Sequence, residues 1–141
     1  MWRVVLDTSV LVAALRSRRG ASSALLDLVA NRIAIPLVTT TLLLEYEDVL
    51  KRPEQMMAMG KTVDWIDGFL SALAAGSEAV EIHYRWRPRT RDPSDEMVLE
   101  AAINGRASAL ITHNVRDFGD AASDFGVPVL RPADASRRLR T

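Results

Sequence analysis

Acidic side chains, placed at intervals along the chain, carry the chemical potential of this sequence. Asp7 follows the apolar Val4-Val5-Leu6. Glu45 lies inside Leu42-Leu43-Leu44-Glu45-Tyr46. Asp92, Asp95, Glu96 and Glu100 crowd the stretch DPSDEMVLE, and Thr112-His113-Asn114-Val115-Arg116-Asp117-Phe118 closes the apolar run after it. There is no cysteine and there are only two histidines, His83 and His113, so any metal must be held mainly by oxygen. Several carboxylates converging without thiolate or imidazole describe a hard-cation site, suited to Mg²⁺ or Mn²⁺, with positions left open for water and a substrate phosphate. The matching chemistry is phosphodiester hydrolysis, with a water activated as nucleophile, a polarised phosphoryl oxygen and a stabilised leaving oxyanion. Acids this far apart in sequence act together only if the fold brings them together.

The frame is that of one domain, residues 1–141, long enough to bury a single core. Hydrophobic residues make up 48% and charged residues 26%, and no apolar stretch approaches the roughly 20 residues of a membrane span. Trp2-Arg3-Val4-Val5-Leu6 meets Asp7 too early for a secretory signal, so a cytoplasmic location is expected. Lys plus Arg and Asp plus Glu both number 18, which excludes a uniformly basic nucleic-acid binder and leaves room for local patches.

Apolar runs and helical patterns alternate. Val4-Val5-Leu6 reads as a buried strand, and Val10 to Leu15 as a helix after the polar break Asp7-Thr8-Ser9. A second helix carries Leu25, Leu26 and Val29. Ile33 to Val38 is a short strand whose Pro36 suggests an edge or a strand end. Thr40 or Thr41 can cap the helix that runs through Leu42 to Leu50. Pro53 to Gly60 breaks the pattern, and Val63, Ile66, Leu70 and Leu73 mark a helix ending near Gly76. Ala79 to Ile82, Ala109 to Thr112 and Val127 to Leu130 read as further strands. This alternation predicts an α/β domain with a mainly parallel sheet, because parallel neighbours need helical crossovers. In such sheets the site lies outside the carboxyl ends of the strands, where Asp7 and Asn114 both fall.

Each acid has a structural role beside the chemical one. Asp7 can cap the first helix or point into the crevice, with Thr8 or Ser9 bonding the next helical turn. Glu45, in register with Leu42 and Val49, borders an apolar stripe while Glu47, Asp48 and Lys51 face outward; it is either an edge residue in an ion pair or a ligand. Asp92 followed by Pro93 suits an N-cap and a first helical position. That register places Asp95 on the face of Val98, Leu99 and Ala102, with Glu96 and Glu100 towards water. Asn114 and Asp117 return to the crevice of Asp7 if the sheet is parallel.

The order of these pieces resembles the PIN-domain family, in particular the bacterial PIN proteins that act as toxins of VapBC-type toxin–antitoxin pairs. The resemblance covers nearly the whole chain. VVLDTSVLVAAL is similar to the family's first strand and aspartate, here Asp7, with a hydroxyl partner at Thr8 or Ser9. TTLLLEYEDVL resembles the helix with the family's glutamate, here Glu45. DPSDEMVLEAAINGRASALITHNVRDF is the most specific stretch and places the third acid on Asp95, with Asp92 beside it. Asn114 stands at the fourth acidic position and Asp117 three residues on, as in the family's T-x-N-x-x-D-F version that begins here at Thr112. The resemblance implies a three-layer α/β/α fold and a Mg²⁺- or Mn²⁺-dependent endoribonuclease with Asp7, Glu45, Asp95, Asn114 and Asp117 at the metal. It also implies a homodimer and a small cognate antitoxin that blocks the site.

Arg85-Trp86-Arg87-Pro88-Arg89-Thr90-Arg91 can hold RNA phosphates and stack a base, or be a solvated loop with Trp86 on the core. Arg16, Arg18 and Arg19 can form an opposite bank, and Arg137-Arg138-Leu139-Arg140 reads as a frayed charged tail. Met56, Met57 and Met59 suit a partner surface or a loop filling, and Trp65, Phe69 and Leu73 a core or dimer face. His83 is an exposed strand-end residue; His113 lies near the site with no partner visible in sequence. Two other classes stay open: a non-catalytic module of the same fold that docks RNA or protein, favoured by Asn114, and a phosphotransferase using Asp7 as nucleophile. Against the second, Ser9 stands where such enzymes commonly place another acid.

Overall fold

The computed structural model describes residues 1–83, 92–118 and 120–140. Five strands run β1 (Trp2–Leu6), β2 (Ala34–Val38), β3 (Glu78–Ala79), β4 (Ala109–Ile111) and β5 (Val129–Leu130), and form one sheet in the order β3-β2-β1-β4-β5. Every pairing is parallel: Val4 against Pro36 and Ala109, Leu37 against Glu78, and Leu110 against Val129. Between strands stand α1 (Thr8–Arg16), α2 (Ala21–Ala30), α3 (Thr40–Leu50), α4 (Pro53–Met59), α5 (Val63–Ala75), α6 (Pro93–Asn104) and α7 (Val115–Phe118), and α8 (Pro132–Arg140) closes the chain. From β1 to β2 the chain steps one way along the sheet, and from β3 to β4 it steps back. Right-handed crossovers therefore put α1 and α2 on one face and α6 on the other, a three-layer α/β/α arrangement.

The central strands are apolar throughout because both faces are covered: Val4, Val5, Leu6, Leu37, Ala109, Leu110 and Ile111 are all buried. Against them pack Val10, Leu11 and Leu25 from α1 and α2, and Val98, Leu99 and Ala102 from α6. Gly105 lets α6 end tight against the sheet, since a Cβ there would sit 2.9 Å from Leu37 Cδ1, Val80 Cγ2 and the Ala101 carbonyl.

Several local expectations change. Pro36 stands inside β2, which is not an edge strand; the short β3 pairs only Leu37 and Val38, so β2 has no neighbour on that side at Pro36 among the described residues. Thr39, not Thr40 or Thr41, caps α3, its Oγ1 accepting from the Leu42 N–H at 3.0 Å. The break at Pro53–Gly60 is itself a helix, with Pro53 in its first turn and Gly60 ending it at φ 66°, a left-handed value that glycine adopts without strain. The strand expected over Ala79–Ile82 is reduced to Glu78–Ala79. The supposed frayed tail is helix α8, whose buried Ala135 and Leu139 belong to the core and which packs on α2. The basic stretch with Arg85, Trp86, Arg87, Arg89 and Arg91 lies outside the described residues.

Candidate active site

The carboxyl ends of β1 and β4 are joined by backbone as well as side chains. The Asp7 N–H donates to the Ile111 carbonyl at 2.9 Å, so the two strands stay in register up to the first polar residue of each. Asp7 occupies the N-cap position of α1, yet its carboxylate makes no capping bond. Instead Oδ2 accepts from Ser9 Oγ and from Thr112 Oγ1, both at 2.7 Å, and Oδ1 has no hydrogen-bond partner among the described residues. Capping is therefore not what the carboxylate does. Thr112 is fully buried, and its oxygen also accepts from the Asn114 N–H at 2.9 Å, so one hydroxyl fixes both Asp7 and the turn after β4. Tyr46 supports the same point from α3, its hydroxyl donating to the Leu6 carbonyl. Burial first, and the nearby Asp7 carboxylate second, hold that phenol far above its ordinary range, so it remains a donor.

The first turn of α6 delivers the next acids. Asp92 caps it, Oδ1 accepting from the Ser94 N–H at 2.9 Å, and Pro93 follows in the first turn. The register expected from sequence holds: Asp95 is half-buried at the inner edge, above Val98, Leu99 and Ala102. Burial, followed by the carboxylates of Asp7, Asp92, Asp117 and Glu96, pushes Asp95 up to about 7. Asp7 at the end of β1, Asp95 on α6 and Asp117 on α7 thus share one electrostatic environment despite lying 110 positions apart at the extremes. Glu96 and Glu100, expected in water, are partly covered.

Glu45 takes a different place. Its Oε1 accepts from Ser94 Oγ at 2.8 Å and ties α3 to the start of α6. Ser94 is a site residue that sequence reading missed, and the only available signal was its position beside two acids in a helical first turn. Glu45, Ser94, Asp92, Thr8, Ser9 and Asn114 line one cleft of about 660 Å³. Val12, Ala13 and Val49 add apolar lining, and Arg16 and Arg52 basic groups. Arg16 is the one arginine of the expected RNA contacts that the described residues place there. Asp7 is 6% exposed and sits behind this lining, while Asp117 is exposed and outside it. Two of the lining residues, Thr8 and Gln55, each hold a buried oxygen without a hydrogen-bond partner among the described residues. A bound polar ligand or water would satisfy such atoms.

No group of three or more acidic, histidine or cysteine side chains among the described residues is arranged as a ready-made metal cage. Mg²⁺ is normally held by one or two carboxylates together with waters and substrate phosphates rather than by a cage of protein ligands. Asp7 Oδ1, without a hydrogen-bond partner among the described residues, and the mutual repulsion at Asp95 fit a hard cation, because a cation would offset the repulsion that raises the Asp95 carboxyl.

A PIN domain model matches residues 3–116, from β1 into α7, and takes in every acid of the site except Asp117. The chain belongs to the PIN-domain family. PIN domains are generally nucleases and typically use divalent metals, so the chemistry argued from the carboxylates and the family agree at that level. Comparison with curated proteins finds no match. No helix among the described residues of this PIN domain is long and apolar enough to cross a membrane.

Proposed function

We propose that this PIN domain is a Mg²⁺- or Mn²⁺-dependent endoribonuclease, and that it is the toxin of a VapBC-type pair, acting in the cytoplasm as a homodimer and inhibited by a small cognate antitoxin. The half-buried Asp95, whose carboxyl is pushed up to about 7 by burial and then by the carboxylates of Asp7, Asp92 and Asp117, supports the nuclease reading together with the carboxylate of Asp7 fixed by Ser9 and Thr112. A bound Mg²⁺ or Mn²⁺ would supply Lewis acidity and a water-derived nucleophile at neutral pH. Asp7, held rigid by Ser9 and Thr112, and Asp95 would hold that ion. Glu45, oriented by Ser94, faces the cleft and accepts a proton or orients the attacking water there. Asn114 adds an uncharged oxygen to the cleft, and Asp117 stands outside its lining but close enough to raise Asp95.

The toxin, antitoxin and dimer parts of the proposal rest on the resemblance of the DPSDEMVLE and THNVRDF stretches to VapBC toxins. The test is cleavage of a fluorogenic single-stranded RNA by protein stripped of any antitoxin, with Mn²⁺ and then with EDTA, for wild type and Asp95→Asn. Cleavage that needs both the metal and Asp95 is the expected result; cleavage retained by Asp95→Asn would overturn it. Asn114, where a fourth carboxylate would bind metal more strongly, favours a second reading as a non-catalytic RNA- or protein-binding module. Under that reading Mn²⁺ does not bind and no RNA is cut.

A further inference from the structure

His113 is exposed, yet it is fixed at three points. Its Nε2 lies 2.7 Å from Ser22 Oγ, and Ser22 is only 2% exposed on α2. Its N–H reaches Ser9 Oγ at 3.4 Å, the same hydroxyl that donates to Asp7. Its carbonyl accepts from Arg131 Nη1 at 3.1 Å. A surface imidazole anchored to a buried serine 91 positions away is not a freely moving side chain. It lines the same cleft as Arg16, on the side where the chain leaves β4. The centre beside it is acidic, so a polyanionic strand bound there needs donors outside the carboxylates.

We infer that His113, oriented by Ser22 and flanked by Arg16 and Arg131, forms a subsite for a phosphate of single-stranded RNA adjacent to the one that is cut. This subsite rests on the ribonuclease reading for its substrate and deepens it. With Ser22 Oγ engaged at Nε2, the Nδ1 edge of the ring is the side left for the strand. Arg16 and Arg131 supply the charge, and the imidazole supplies the position. His113 is a binding residue and Ser22 a positioning residue.

The experiment is fluorescence anisotropy with a labelled single-stranded RNA in EDTA and in Ca²⁺, paired with steady-state cleavage in Mn²⁺. His113→Ala is expected to weaken binding about tenfold, the loss of one hydrogen bond to a charged group, and to raise KM with kcat nearly unchanged. Ser22→Ala should weaken it about threefold, and the double variant should match His113→Ala alone, because the serine acts only through the ring. Arg16→Ala and Arg131→Ala should each lower the slope of log Kd against log salt by about 0.7, one phosphate contact to a single strand. His113→Gln, which keeps a donor, should recover most of the affinity.

Affinity and KM unmoved in a folded His113→Ala protein would overturn the subsite whether or not wild type cleaves. So would a wild type that binds no RNA in either EDTA or Ca²⁺. RNA binding that depends on His113 in a wild type that cuts nothing would keep the subsite and remove the nuclease.

Discussion

The two ends of β2 and its neighbours face different surroundings. Near its amino end, Leu26, Val29, Ile35, Phe69 and Leu73 line a mainly apolar groove of about 950 Å³ between α2 and α5. At the carboxyl ends of β1 and β4, buried Asp7, Thr8 and Thr112 lie beneath a cleft rimmed by acids and arginines. The first region is mainly apolar, with Ser77 Oγ donating to the Leu73 carbonyl and Glu78 paired with Arg3 at its edge. The second places like charges together and holds buried oxygens that have no hydrogen-bond partner among the described residues, which lowers stability in the absence of a ligand. Arrangements that cost folding energy persist where chemistry needs them, and this contrast supports the proposal of a site at the carboxyl end.

Substitutions can sharpen that contrast, starting with the largest effect. Asp95→Asn should lower cleavage by about 10³-fold or more, equivalent to about 4 kcal/mol of barrier, while raising the thermal midpoint at pH 8 in EDTA. The sign follows from linkage. Asp95 is raised from an ordinary 3.8 to about 7, so between those values the folded protein holds a proton that the unfolded chain has released. This group's contribution therefore falls as pH rises from about 4 to 7 and stays low above that. Melting curves across the range should show this decline in wild type and its loss in Asp95→Asn; an unchanged profile would break the comparison.

Thr112→Val removes the donor to Asp7 and the acceptor for the Asn114 N–H. It should cost about 1–3 kcal/mol of stability and about 10–100-fold in cleavage, read by urea unfolding and RNA turnover. Leu73→Ala in the groove should cost about 2–4 kcal/mol with cleavage at saturating substrate unchanged. Equal damage to activity from Leu73→Ala would mean that the two regions are coupled. Mn²⁺ at about 100 times its Kd should stabilise by about 2.7 kcal/mol, with a larger midpoint shift at pH 8 than at pH 5, because protons compete for Asp95. Ser94→Ala should have the smallest effect, a few-fold loss of cleavage with stability within about 0.5 kcal/mol, since Glu45 can turn to water.

The parallel α/β architecture was legible in the apolar strand runs, because strands covered on both faces cannot alternate with polar residues. So was the first turn of α6, where Asp92, Pro93 and the inward register of Asp95 follow from capping and a 3.6-residue period. The helix over Pro53–Met59 was not legible: it is too short for a periodic signal, and its flanking Pro53 and Gly60 read as breakers when they are its start and stop. The same limit hid α8, whose charged surface masks the few buried positions that hold it to α2.

Residue types alone determined which chemistry this protein can host: no thiolate, two imidazoles, and carboxylates at strand and helix ends select a hard cation. Only the tertiary structure decided how those groups are shared out. It tied Asp7 to Thr112 and left Glu45 to Ser94. It also gave His113 the partner in Ser22 that the sequence did not reveal. Short-range pattern reports each residue's own helix or strand, whereas a hydrogen bond spanning 105 positions exists only after parallel strands have set their register.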